Sequence, residues 1–216
     1  MHSPAEPDLF EFASALIHSR QNVSARRLTE PGPSSQKLQE ILGTAAAAPD
    51  HGELCPWRFV IVPENRRHDL AEVFGRALID RDLTATPEQI DKAREKAYRA
   101  PIVVLVVVAL RDPQAKGGAA PGRGAQHPDS TVADVSDAER LVSLGCAIQN
   151  ILLATHAAGF GAGLTSGQAM SSPHLRTLFR LNENEQAICC INIGTVTKHK
   201  PVRLRPTVLD YLSELS

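Results

Sequence analysis

Five arginines stand where they could meet an anion. Arg20, Arg26 and Arg27 follow the first helix-like segment, and Arg203 and Arg205 lie near the far end of the chain. A guanidinium is a planar fork that grips phosphate or carboxylate through paired hydrogen bonds. Separated basic segments folding onto one another would make a phosphate site; a solvated basic surface is the reading that composition alone favours. Asn22 and Ser24 add the amide and hydroxyl groups that a phosphate or the polar edge of a flat ring needs.

His51, beside Asp50, lies in the loop Ala48-Pro49-Asp50-His51-Gly52-Glu53-Leu54-Cys55-Pro56-Trp57-Arg58-Phe59. Loops between regular elements are where binding groups concentrate. Pro49 and Pro56 each restrict the residue before them, so Ala48 and Cys55 are expected to be extended and the loop stiff at both ends. Trp57, the single tryptophan, reads as a core anchor at the start of a strand.

Other chemistries fit poorly. Gly159-Phe160-Gly161-Ala162-Gly163 follows a helix, whereas a dinucleotide fingerprint must follow a strand and open a helix. Gly159 is better read as a left-handed helix stop. Thr165-Ser166-Gly167-Gln168-Ala169 lacks the Gly-x-Ser-x-Gly elbow of a hydrolase nucleophile, and its small residues suit close approach to a flat ligand. His156, near the end of the long helix, suits a structural role at the negative end of the helix dipole. No His, Cys, Asp or Glu set has metal-ligand spacing, so no metal is expected.

The elements that must position these groups follow from periodicity. Asp8 should cap a helix over Leu9 to Ser19 whose stripe is Leu9, Phe12, Ala13, Leu16 and Ile17. Helices are predicted over Ser35 to Ala47, Arg67 to Asp80, Thr86 to Tyr98 (with Pro87 at the first helical position), Asp137 to Ala158 and Ser172 to Phe179. Strands are predicted over Arg58 to Val62, Pro101 to Leu110 and Ala187 to Gly194, with a short one before Ser166. The run from Pro101 to Leu110 is apolar throughout, as for a strand covered on both faces. Residues 1–7 read as a disordered lead, and the Gly-, Ala- and Pro-rich tract 112–135 as a flexible insertion in one domain spanning 8–216. The order of elements gives an α+β fold, with helices around one sheet.

The 216 residues are 43% hydrophobic, enough for a full core. A net charge of -1, from 23 basic and 24 acidic residues, argues against a general nucleic-acid or membrane-surface binder. No apolar run reaches the roughly 20 residues of a membrane span. Cys55, Cys146, Cys189 and Cys190 lack framework spacing and read as reduced thiols of a cytoplasmic protein; adjacent Cys189 and Cys190 should face opposite sides of a strand.

In sequence order these segments resemble the flavin-dependent nitroreductase family, in particular its small single-domain NAD(P)H nitroreductase branch. Four places carry the likeness: Ser19-Arg20-Gln21-Asn22-Val23-Ser24 with Arg27-Leu28-Thr29-Glu30-Pro31; Ala48-Pro49-Asp50-His51 with Pro56-Trp57-Arg58-Phe59; Gly145-Cys146-Ala147-Ile148-Gln149-Asn150; and Gly159-Phe160-Gly161 running to Leu164-Thr165-Ser166-Gly167. The resemblance implies a mostly antiparallel central sheet surrounded by helices, and a homodimer with FMN in a cleft at the subunit interface. It implies that Arg20, Gln21, Asn22 and Ser24 hold the flavin phosphate and ring edge, that Leu164, Thr165 and Ser166 lie along the ring, and that Arg203 or Arg205 meets the phosphate. His51, with Ala47 or Pro49, would reach flavin bound mainly by the other subunit. The stretch Ala154 to Gly159 matches a region assigned to nicotinamide-dinucleotide binding. The chain departs from the family's Arg-Arg-Ser pattern: an ungapped alignment puts Asn22 at the first arginine, a gapped one keeps Arg20. Ala47 stands where relatives often carry arginine, and Cys55 where glutamine is common.

The expected activity is ping-pong hydride transfer from NAD(P)H through FMN to a nitroaromatic, quinone or similar small electron-poor acceptor, with the flavin and no side-chain dyad carrying the chemistry. The alternatives are a dehydrogenase, dehalogenase or flavin-consuming enzyme of the same fold, or a non-catalytic flavin-binding or storage protein.

Overall fold

The computed structural model describes residues 8–111, 135–198, 200–201 and 204–215. The expected lead, all but the last residue of the expected insertion, and Arg203 lie outside the described residues.

The architecture follows from two strands that are apolar on both faces. The strand β3 (Ile102–Ala109) alternates with period two: Val103, Leu105 and Val107 enter one core, Val104, Val106 and Val108 the other. It pairs antiparallel with β5 (Glu185–Val196), where Cys190 faces the first core and Cys189 the second, as adjacency requires. On its other edge β3 pairs with β2 (Trp57–Ile61), and β5 also carries β4 (Gly161–Thr165) and β1 (Leu28–Thr29). Every pairing of these five strands is antiparallel. A lone parallel bridge joins Asn22 to Ala162.

Helices cover both faces. The first core is closed by α3 (Arg67–Arg81), through Leu70, Ala71 and Val73, and by α6 (Pro173–Phe179), through Leu175. The second is closed by α2 (Ser35–Gly43), through Leu38 and Ile41, and by α5 (Asp137–Ala157), through Leu144, Ala147, Ile148, Ile151 and Leu152. Trp57 is half-buried and packs against this second core. Between α3 and β3 lies α4 (Pro87–Arg94), opened by a reciprocal cap in which Thr86 and Gln89 bond each other's backbone N–H. Ser136 and Glu139 cap α5 in the same way, and Gly159, at φ 83°, stops the chain just beyond it.

Several expectations change in detail. The helices expected to reach Ala47 and Tyr98 tighten into 3-10 turns over Thr44–Ala47 and Glu95–Tyr98, as last turns do when carbonyls lack a continuing partner. The pairing of Leu28–Thr29 is an addition, a two-residue strand too short to show periodicity. Before Pro49, Ala48 is extended as expected, but Cys55 before Pro56 has φ 45°. Asp50 accounts for the turn: its carboxylate accepts the Cys55 N–H at 2.5 Å and curls the loop on itself. The helix α1 (Leu9–Ser19) forms where expected, with Asp8 accepting the N–H of Phe10 and Glu11, yet none of its residues is buried. Among the described residues nothing buries its apolar stripe, of which Leu16 alone is half-buried.

Candidate active site

A cavity of about 600 Å³ opens from the first core, between the sheet and the α3–α4 pair. Its apolar floor includes Leu70, Phe74, Val103 and Met170, and its polar edge includes Ser24, Thr165, Ser166 and Asn192. Asn192 is buried; its Nδ2 donates to Thr165 Oγ1 at 2.9 Å and fixes the end of β4 against β5. The Cys190 thiol reaches the same cavity, but burial, aided by Cys189, pushes its pKa up to about 12, so it is a neutral apolar group and no nucleophile. Cations surround the opening: Arg26 from the turn after Ser24, Arg81 from α3, Lys92 from α4, and Lys96 and Arg99 just after it. Burial first, then the charge of Arg26, holds the Arg99 pKa below its usual value.

A smaller cavity of about 330 Å³ lies along the chain just before Ser24, with Arg20, Gln21 and Arg27 on one side and His156, Gly159 and Phe160 on another. Arg20 is half-buried. Its Nε is shielded from solvent and has no hydrogen-bond partner among the described residues, and the same holds for Arg27 Nε. Arg205 lies against this segment, donating to the carbonyls of His18 and Arg20 at 2.9 Å each. Burial first, and the charge of Arg205 second, hold the Arg20 pKa down. Among the described residues neither Arg20 nor Arg205 forms an ion pair, so two like charges stand side by side here. His156 bonds Ser19 through Nε2 to Oγ at 2.9 Å and so ties α1 to α5, consistent with a structural part.

The two cavities flank a close backbone approach. The Val23 N–H bonds the Ala162 carbonyl at 2.9 Å, and a Cβ on Gly163 would stand 2.0 Å from the Val23 oxygen. Only glycine leaves room for this contact. The Asn22 Oδ1 also accepts the Leu164 N–H, at 3.4 Å. The glycine-rich stretch thus brings the Asn22–Ser24 segment alongside Leu164, Thr165 and Ser166.

The expected residues therefore divide. Ser24, Thr165 and Ser166 line the larger cavity; Arg20 and Gln21 line the smaller, with Arg205 against Arg20; Asn22 and Leu164 join the two segments. Ala47, Pro49 and His51 line neither. They are exposed on the α5 side of the sheet, where His51 Nδ1 lies 3.0 Å from Glu139 Oε1. The cations of α3 and α4 were missed, although Lys92, Lys96 and Arg99 stand at the four- and three-residue spacing of one helical face. Among the described residues no His, Cys, Asp or Glu side chains cluster as metal ligands would, and no helix is long and apolar enough to cross a membrane.

The model of the nitroreductase family matches residues 20–195. The chain belongs to the nitroreductase family. It is 31% identical over 183 residues to a Haemophilus influenzae protein named "Putative NAD(P)H nitroreductase", covering 85% of this chain and 88% of that one. It is also 31% identical over 180 residues to its counterpart YdjA of Escherichia coli K12, covering 83% and 85%. Among solved structures, a nitroreductase-like family protein of Bacillus cereus superposes with a TM-score of 0.70 at 17% identity, covering all of this chain and 98% of the other. A Desulfitobacterium hafniense nitroreductase with bound FMN superposes at 0.62 and 18% identity, covering 94% and 97%. These likenesses establish a nitroreductase fold.

Proposed function

We propose that this protein is an FMN-dependent NAD(P)H oxidoreductase that reduces nitroaromatics, quinones or similar electron-poor acceptors. The observation that carries the reading is the cation pair Arg20 and Arg205, which has no ion pair among the described residues and lies next to the segment that leads into a roomy, partly apolar cavity. A flavin mononucleotide is a flat ring system on a phosphate tether, and the residues present fit it. The orphaned Arg20 Nε offers a donor for the phosphate, and Asn22 and Ser24 bridge from there to the cavity. Thr165 and Ser166 offer a small-residue edge for the ring.

When bound, FMN supplies the hydride transfer between NAD(P)H and the acceptor. This chain's residues bind and orient. Arg20 and Arg205 neutralise the phosphate, and Arg27 adds a third guanidinium. Arg26, Lys96 and Arg99 hold positive potential over the cavity, which stabilises negative charge developing there without reorganisation at the moment of reaction. No acid–base dyad is needed, and Cys190 stays protonated and inert.

Completion of the site by a second subunit explains two further features. The exposed stripe of α1 needs a partner surface, and His51 faces outward, away from both cavities of its own chain. In a homodimer His51, Ala47 and Pro49 would reach the cofactor of the neighbour. The test is direct. Purified protein should carry flavin absorbance and oxidise NADH or NADPH with a nitroaromatic or quinone acceptor; a protein that rejects added FMN, or binds it without turnover, would overturn the reading.

A further inference from the structure

The larger cavity holds more positive charge than one flavin needs. None of its five cations, Arg26, Arg81, Lys92, Lys96 and Arg99, forms an ion pair among the described residues. Close by on α4, Arg94, two residues beyond Lys92, is held instead by Glu72 and Asp91. The acid in the lining, Asp82, is turned to Thr84, accepting from its N at 3.0 Å and its Oγ1 at 2.7 Å. Arg81 helps to hold Asp82 ionised, but behind those two bonds.

Lys92, Lys96 and Arg99 follow one another along the chain, and Arg99 Nη2 donates to the Lys92 carbonyl at 3.5 Å. Arg99 feels the charge of Arg26, which places this pair near Ser24. Arg81 and Lys92 come from the packed helices α3 and α4, and both are exposed. On α3, Phe74, Ala77 and Leu78 line the same cavity as Arg81 and make that part of the wall apolar. An apolar strip with a basic rim suits a flat aromatic group bearing a phosphate: the ring covers the strip, and the phosphate meets the rim.

On the function proposed above, the flavin phosphate belongs to Arg20 and Arg205, so the α3–α4 rim is left for the second molecule to enter. We propose that Arg81 and Lys92 form a phosphomonoester subsite that recognises the adenosine 2′-phosphate of the hydride donor and so selects NADPH over NADH. Phe74 and Leu78 supply the surface for the adenine. A phosphomonoester carries close to two negative charges at neutral pH, and NADH lacks that group, so the two cations discriminate on charge alone.

The redox-inert fragments of the donor separate binding from turnover. The FMN-treated protein is titrated calorimetrically with adenosine 2′,5′-bisphosphate and with adenosine 5′-monophosphate. The bisphosphate is expected to bind about tenfold tighter, and the difference to vanish in the Arg81→Gln, Lys92→Gln double variant, with flavin absorbance per subunit unchanged. The NADPH-to-NADH ratio of kcat/KM should fall by a similar factor. A control compares 4-nitrobenzoate with 4-nitrobenzamide as acceptors. Equal binding of the two nucleotides by the unaltered protein overturns the proposal. Loss of flavin from the variant overturns it too, by giving the rim to the resident cofactor. So does loss of a nitrobenzoate preference with the nucleotide preference intact, which gives the rim to the acceptor. A protein that takes up no FMN defeats the flavin reading instead, and the nucleotide titration still decides the subsite.

Discussion

Arg20 carries its charge against two opposing influences, burial and the neighbouring Arg205. A guanidinium does not lose its proton under ordinary conditions, so the fold keeps a half-buried cation there beside a second one. A bound phosphate would offset that cost. The Arg20→Gln variant should lose about 10- to 100-fold in FMN affinity, the worth of roughly 1.5–3 kcal/mol for a hydrogen bond to a charged group. Flavin fluorescence titration measures this, and unchanged affinity would move the phosphate elsewhere. Glu185 shows the opposite logic. It is buried and accepts from Arg58 Nε at 2.5 Å and Nη2 at 2.9 Å, and chiefly these bonds hold its pKa below the usual 4.5. A depressed carboxylate pKa adds stability above the unfolded value, and that stability is lost as pH falls through the folded one. Glu185→Gln should therefore destabilise the protein by about 2 kcal/mol at pH 7, and by progressively less as pH falls below the usual carboxylate range, as urea denaturation along a descending pH series would show. An equal loss throughout the series would contradict the pairing. Residue types alone left Arg20, Arg26, Arg27, Arg203 and Arg205 as candidates against a solvated surface, and they gave no sign of the partnership of Glu185 with Arg58, which depends on strands that meet only in the fold.

The bridge between β4 and the Asn22–Ser24 segment depends on a missing side chain. At Gly163 a Cβ would meet backbone oxygen, which cannot swing aside as a flexible side chain can. Gly163→Ala should cost about 1–3 kcal/mol or more as the segment is pushed off the sheet. It should also weaken FMN binding, although the residue offers no side chain to the ligand. Thermal melts with and without FMN test both parts; a variant as stable and as flavin-loaded as the parent would show that the segment can shift freely. The long, periodic or uniformly apolar elements were legible in the sequence: β3, α3 and α5 lie within a residue or two of where their patterns put them. What periodicity could not give were two-residue pairings and tertiary contacts. Gly159-Phe160-Gly161-Ala162-Gly163 read correctly as a helix stop, but Gly163 serves a segment 140 residues away. Likewise Lys92 and Lys96 look like an ordinary solvated helix face until α4 is seen to border a cavity.

At the scale of the molecule, the surface is uneven. Leu9, Phe10 and Phe12 of α1 are 75%, 79% and 66% exposed, and the tail exposes Leu209, Tyr211 and Leu212. Large exposed apolar side chains in this number suit the subunit interface of the proposed homodimer. Replacing Phe10 and Phe12 together by Asp should convert a dimer into a monomer in light scattering, with flavin occupancy falling in step. A monomeric parent protein, or a monomeric variant that keeps its flavin, would refute the shared site. The sheet itself has a different asymmetry. Three strands, β1, β3 and β4, all lean on β5, which is made only from residue 185 onward. On the ribosome β3 therefore emerges about 75 residues before the partner that closes its second edge, with valines on both faces and an open row of backbone donors and acceptors. Until β5 is made that edge can pair with other chains, so synthesis and refolding conditions are expected to govern aggregation more than the finished sheet does.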